Sequence, residues 1–282
     1  MNIVDTHPHI VSEDTDAFPI SPIGGKRSEW SHKRSVTAEQ LIEAMDEAGV
    51  AKAAIVHSST TYGFNCDYVA DAISRYSDRL TGVFSVNVTE PDGPEKMQHW
   101  IDRGFTGMRL YLQGSTMKEA WVAMDDKRIY PCYELAAEAG LSVATNLKAK
   151  NFGELETVMT DFPTVNFFLD HLGGVKFDDG APFEAAAPLW ALAKYPNLYI
   201  KLVTGKFLAA DNGASTSATM FAKLVEEFGA DRLAWGSNFP SAEGSYADVV
   251  KTALDGLASL PQDQQDWIMG KTAQSLYPTL KG

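Results

Sequence analysis

Cysteine is scarce in this chain, with only Cys66 and Cys132 among 282 residues. Neither falls in a Cys-x-x-Cys spacing, so a disulfide framework and a thiolate metal or redox motif are both excluded, and the two read as structural thiols. Basic residues are also in short supply. Lys and Arg total 24 against 37 Asp and Glu, for a formal charge of −13. A field of that sign argues against nucleic acid or an anionic membrane as partner. It leaves a small anionic substrate open, because a pocket can gather cations locally. Long apolar runs are missing too: the stretch around Asn166 to Leu169 falls far short of the roughly 18 residues a membrane span needs. Met1 to Val4 passes straight into a strand-like run with neither a basic leader nor a signal-type apolar segment, which reads as a cytoplasmic protein. No linker or shift in composition divides the chain, so residues 1–282 read as one domain.

What the sequence does have is alternation. Strand-like apolar runs at Ile3 to Asp5, Ala53 to His57, Leu80 to Val86, Thr106 to Leu110, Leu141 to Asn146, Val165 to Asp170, Leu198 to Leu202 and Leu233 to Gly236 are separated by segments of helical period. The helices are expected at Thr37 to Ala48, Asp67 to Tyr76, Gly93 to Arg103, Tyr130 to Ala139, Asn151 to Asp161, Phe183 to Lys194, Ser217 to Phe228 and Tyr246 to Leu257. Thr37 is placed to cap the first, and Gly49 follows its end. Apolar strands joined by helices call for right-handed crossovers and a parallel sheet buried on both faces. Eight such units predict an α/β fold, a single (β/α)8 TIM barrel, for which roughly 250 residues suffice. An open doubly wound sheet is disfavoured because no Gly-x-Gly-x-x-Gly loop follows the first strand. An extra C-terminal helix, Gln262 to Leu276, is free to close the lower face or to serve a homo-oligomer contact.

The chemistry is expected where barrel strands end. His7 and His9, two apart in extended chain, point to one side and into the barrel mouth. Asp170-His171-Leu172-Gly173-Gly174 ends the sixth strand, and Trp235-Gly236-Ser237-Asn238-Phe239-Pro240 ends the eighth. Together, His-x-His, Asp-His-x-Gly and Gly-Ser-x-Phe-Pro in this order resemble the amidohydrolase superfamily, in its amidohydrolase-2 branch. Further segments resemble the lactonases of that branch, among them the 2-pyrone-4,6-dicarboxylate lactonases. These are Tyr62-Gly63-Phe64-Asn65, Gly107-Met108-Arg109 and Tyr199-Ile200-Lys201.

The resemblance implies a hydrolase that opens a carboxylated lactone, or a related small cyclic ester or amide, with activated water, in the catabolism of aromatic compounds. Its catalytic set maps to His7, His9, His171 and Asn238. Arg109, with a fork of donors suited to carboxylate, and Lys201, a point charge, are expected to hold substrate anions, although a salt bridge inside the barrel is the competing reading of both. Tyr62, Asn65, Asn146 and His57 complete the expected substrate-binding set. Trp30, with Arg27, Lys33 and Arg34 nearby, could belong to a basic lid or to a solvated charge cluster.

Two positions depart from the family pattern. Asn238 stands where the family carries the Asp that serves as general base, and Asn146 stands where it usually has a His. An amide cannot take a proton at neutral pH, so the chain reads as a form with its base disabled. Engineering, transfer of the base role to another group, and conversion to an inactive small-molecule binding protein all remain open. So does the cofactor: one divalent metal, zinc by preference, on His7, His9 and His171, or metal-independent hydrolysis with histidines donating to the carbonyl oxygen. The alternative enzyme reading is a non-oxidative decarboxylase of the same branch.

Overall fold

The computed structural model describes residues 1–114 and 116–281. Eight parallel strands follow one another around a single sheet in sequence order. They are β1 Ile3–Asp5, β2 Val50–Val56, β3 Leu80–Phe84, β4 Phe105–Leu110, β5 Ser142–Thr145, β6 Asn166–Leu169, β7 Leu198–Val203 and β8 Leu233–Gly236. The ring is completed between β8 and β1: the amide and hydroxyl of Thr6 both donate to the Trp235 carbonyl, at 3.3 and 2.7 Å. The Ser237 amide donates to Asp5 Oδ1 at 2.8 Å. Gly236 permits this closure, since a Cβ there would lie 2.7 Å from His7 Cβ. The predicted α/β barrel is therefore the observed fold.

Most expected helices form where the periodicity places them. Ala38–Ala48 carries a capping box from Thr37 and Gln40 and ends on the left-handed Gly49, and Ser217–Phe228 and Tyr246–Leu257 match their expected spans. One does not. Between residues 183 and 194 the chain forms only short turns, Glu184–Ala186 and Ala187–Trp190. Beyond them, Leu192 and Tyr195 bond three residues back to Leu189 and Leu192. Pro196 biases Tyr195 away from helix and so bars extension at that end, while Phe183 at the start is left-handed, with φ 63°.

The C-terminal helix is divided. A π-turn at Trp267–Lys271 separates Gln262–Asp266 from Thr272–Leu276. Gly270 in that turn lies against the chain start, where a Cβ would stand 2.0 Å from the Asn2 carbonyl oxygen. The segment closes the amino end of the barrel. Ala273, Leu276, Tyr277 and Leu280 pack with Val4, Ala54, Val83, Ala144 and Phe168 from the barrel interior. Gly107 makes room for Tyr277, whose Cε1 would be 2.8 Å from a Cβ at that position. With that end filled, the interior is left to open at the carboxyl ends of the strands. Among the described residues, no helix is long and apolar enough to cross a membrane.

Candidate active site

β1 ends in an anchored turn. Asp5, fully enclosed, accepts from the His7 and Ser237 amides, both at 2.8 Å, and from the Tyr246 hydroxyl at 2.6 Å. Burial nevertheless raises its pKa. Downstream, His9 Nδ1 sits 2.7 Å from the Val56 carbonyl oxygen. A carbonyl only accepts, so Nδ1 carries the proton and Nε2 is left as an acceptor. Trp30 stacks on the His9 ring at 5.1 Å and 22°. His7 packs edge-on to His9, 4.9 Å between centroids, and is fully buried with neither ring nitrogen hydrogen-bonded among the described residues.

Asp170, where β6 ends, is the electrostatic centre. Arg109 reaches its Oδ2 from β4 with Nε at 3.0 Å and a terminal nitrogen at 2.9 Å, and Lys201 reaches Oδ1 from β7 at 2.9 Å. Burial alone would raise the carboxyl pKa, but Lys201 and then Arg109 outweigh it and hold the group down at about 2. His171 follows in a turn of unusual hand. His171, Leu172 and Gly173 have φ of 57, 57 and 58°, a left-handed run that costs non-glycine residues roughly 1–2 kcal/mol each. The run brings His171 within 5.5 Å of His7, between ring centroids. Asn238 after β8 is likewise left-handed, at φ 55°, a conformation that Asn tolerates better than most residues.

Burial keeps the imidazoles neutral. It depresses His9 to about 3 and His57 and His171 to about 4, and His7 well below its usual value.

A cavity of about 310 Å³ opens over these groups. Of the residues expected from sequence, His9, His171, Arg109, Asn146 and Asn238 line it. His7 and Lys201 lie beneath in the barrel interior, fully buried. The Lys201 ammonium is thus committed to Asp170 and acts through it, the salt-bridge reading of that residue. His57 bonds through Nε2 to the Gly63 carbonyl at 2.9 Å. The Tyr62 hydroxyl accepts from the Ser12 amide at 2.7 Å, and exposed Asn65 accepts from the Asp67 amide at 2.8 Å at the start of a helix. None of these three faces the cavity. Asn146 both lines the wall and accepts from the Leu112 amide at 3.0 Å. The cations flanking Trp30 are occupied: Arg27 bonds Ser31, Lys33 pairs with Glu29, and Arg34 donates to the carbonyls of Pro240 and Ser241.

Sequence reasoning passed over Asp170 as a functional group although it opens a quoted motif. It also missed Gln113 and Lys148, which line the cavity. Extending the period-2 pattern of β4 from Arg109 through Tyr111 to Gln113 would have found Gln113.

His7, Asp170 and His171 offer donor atoms within 4.8 Å of one another, a set suited to a divalent ion. The structure thus gathers Asp170, rather than His9, with the two histidines. The orphaned nitrogens of His7 fit such an ion, while Arg109 and Lys201 compete with it for the carboxylate.

Histidines, a carboxylate and paired cations converge on the carboxyl ends of eight parallel strands, the arrangement of an α/β-barrel enzyme site. The chain belongs to the amidohydrolase family, whose model matches residues 4–279. It is 25% identical over 250 residues to a 2-pyrone-4,6-dicarboxylate hydrolase of Comamonas testosteroni, covering 84% of this chain and 76% of that protein. It is 23% identical over 219 residues to an L-fucono-1,5-lactonase of Burkholderia ambifaria, covering 76% and 74%. The fold matches that of a zinc-bound amidohydrolase of Burkholderia multivorans, with TM-score 0.76, 19% identity and 99% of each chain covered. It also matches a 2,6-dihydroxybenzoate decarboxylase of Rhizobium, with TM-score 0.72, 14% identity and 99% of each chain covered.

Proposed function

We propose that this chain hydrolyses a small carboxylated lactone, or a related cyclic ester or amide, of the kind met in the breakdown of aromatic compounds. The observation that carries the reading is the convergence of neutral His9 and His171 with Arg109 and Asn238 on one cavity. Water attacks the ring carbonyl carbon, the ring carbon–oxygen bond breaks, and the freed oxygen takes a proton to leave a hydroxy acid.

The geometry divides the labour. His9 spends its N–H on Val56, so its Nε2 is a hydrogen-bond acceptor that positions the attacking water, while burial, which holds its pKa at about 3, leaves it too weak a base to take the proton outright. Arg109 uses two nitrogens on Asp170, and its remaining terminal nitrogen, with Lys148 at the mouth, supplies donors for the carbonyl oxygen and the substrate carboxylate. Asn238 orients the water but cannot take its proton. His7, Asp170 and His171 would hold a divalent ion, which when bound supplies Lewis-acid polarisation.

Turnover of carboxylated lactones by the chain and by Asn238→Asp tests this. Restoring a carboxylate is expected to raise kcat roughly a hundredfold. Equal rates would place the base wholly on another group, and no turnover by either form would reject lactone hydrolysis. The metal-capable cluster favours a second reading, non-oxidative decarboxylation, which release of carbon dioxide would reveal. An inactive binding protein predicts binding without turnover in both forms.

A further inference from the structure

Past the end of β4 the chain keeps a two-residue alternation. Leu110 and Leu112 pack into the core, while Arg109, Tyr111 and Gln113 face the cavity. Gln113 is 1% exposed, and neither its amide nitrogen nor its amide oxygen has a hydrogen-bond partner among the described residues. Its backbone is held nearby, because Asn146 Oδ1 accepts from the Leu112 amide at 3.0 Å. Buried amides are almost always paired, and leaving one unpaired is costly. An unpaired amide in the wall of a reaction cavity is therefore free to pair with a polar group of a bound ligand, which displaces any water held there.

We propose that Gln113 is a specificity-determining residue that reads a neutral hydroxyl of the substrate; this rests on the lactone-hydrolase reading above. The carboxamide presents a donor and an acceptor side by side. A hydroxyl satisfies both, whereas a carboxylate meets only the N–H and sets an anion against the amide oxygen. The substrate carboxylate belongs with Arg109 and Lys148, and the Gln113 end of the cavity takes a hydroxylated part of the ring. A substrate lacking that hydroxyl leaves the amide unpaired, and sites of this kind discriminate strongly against such analogues.

The test compares a monolactone of glucaric acid, which carries ring hydroxyls and a carboxylate, with a butyrolactone carboxylate that has no hydroxyl. The wild type is expected to favour the glucaric lactone in kcat/KM. Gln113→Leu is expected to lose that preference by about tenfold to a hundredfold, mainly through KM on the hydroxylated substrate. Its melting temperature without ligand is expected to be no lower, because an unpaired amide is replaced by an apolar group of similar size; a merely structural glutamine would show a drop instead. An unchanged preference in Gln113→Leu, or a wild type that favours the hydroxyl-free lactone, overturns the role of Gln113 while leaving lactone hydrolysis intact. Silence of the wild type on both substrates and on 2-pyrone-4,6-dicarboxylate overturns the hydrolase reading, and this inference with it.

Discussion

Lys201 Nζ lies 2.9 Å from Asp170 Oδ1, with both side chains fully enclosed in the barrel. Two cations, from β4 and β7, thus converge on one carboxylate from β6. Such a buried cluster holds together only while its charges stay matched.

Asp170→Asn removes the shared anion and strands Arg109 and Lys201 in the interior. The expected cost is about 3–5 kcal/mol of folding stability, read from urea unfolding. Pairing Asp170→Leu with Lys201→Met is expected to recover part of it. An Asp170→Asn midpoint equal to wild type would show that the cations are rehydrated and the cluster carries little.

Acid should destabilise the fold in two stages. His9, at about 3, and His57 and His171, at about 4, sit below the ordinary 6.5 because burial disfavours their charged forms. As pH falls below 6.5 the unfolded chain takes up protons that the folded chain does not, so stability falls towards pH 4. Each group contributes up to about 1.4 kcal/mol per pH unit. Asp170 acts later: its contribution is intact above 3.8 and is lost as pH falls through about 2. Urea midpoints at neutral pH and midway through the histidine window check the first stage, and a flat response would mean that these rings are charged in the native protein.

Tyr246→Phe deletes the hydroxyl that donates to Asp5 at 2.6 Å, where β1 meets β8. A hydrogen bond to a buried carboxylate is worth about 1.5–3 kcal/mol, and a loss of that size is expected in thermal or urea unfolding. A change near zero would show that the amides of His7 and Ser237 suffice to hold Asp5.

Zinc affinity should respond to the competing cations. Lys201→Met relieves one positive charge on Asp170, and binding by His7, Asp170 and His171 is expected to tighten by at least about tenfold, or about 1.4 kcal/mol. Competition against a chromophoric chelator measures this. Equal affinity in the two proteins would remove Asp170 from the zinc-binding set.

The barrel was legible in the sequence because strand and helix periods are local properties that tertiary packing reinforces here, from the capped helix at Ala38–Ala48 to the buried run of β6. At residues 183–194 the helical period is interrupted from both ends, by the left-handed Phe183 and by Pro196 beyond Tyr195. The motif residues also stood out, since His9, His171 and Asn238 occur in fixed patterns at strand ends. What each group does was decided by contacts between distant parts of the chain. Val56 settles the tautomer of His9 across 47 residues. Asp170 takes up both Arg109 and Lys201, which removes Lys201 from the cavity wall. A side chain's type sets what it can donate or accept, but only the closed ring of strands brings it the partner that selects among those capacities.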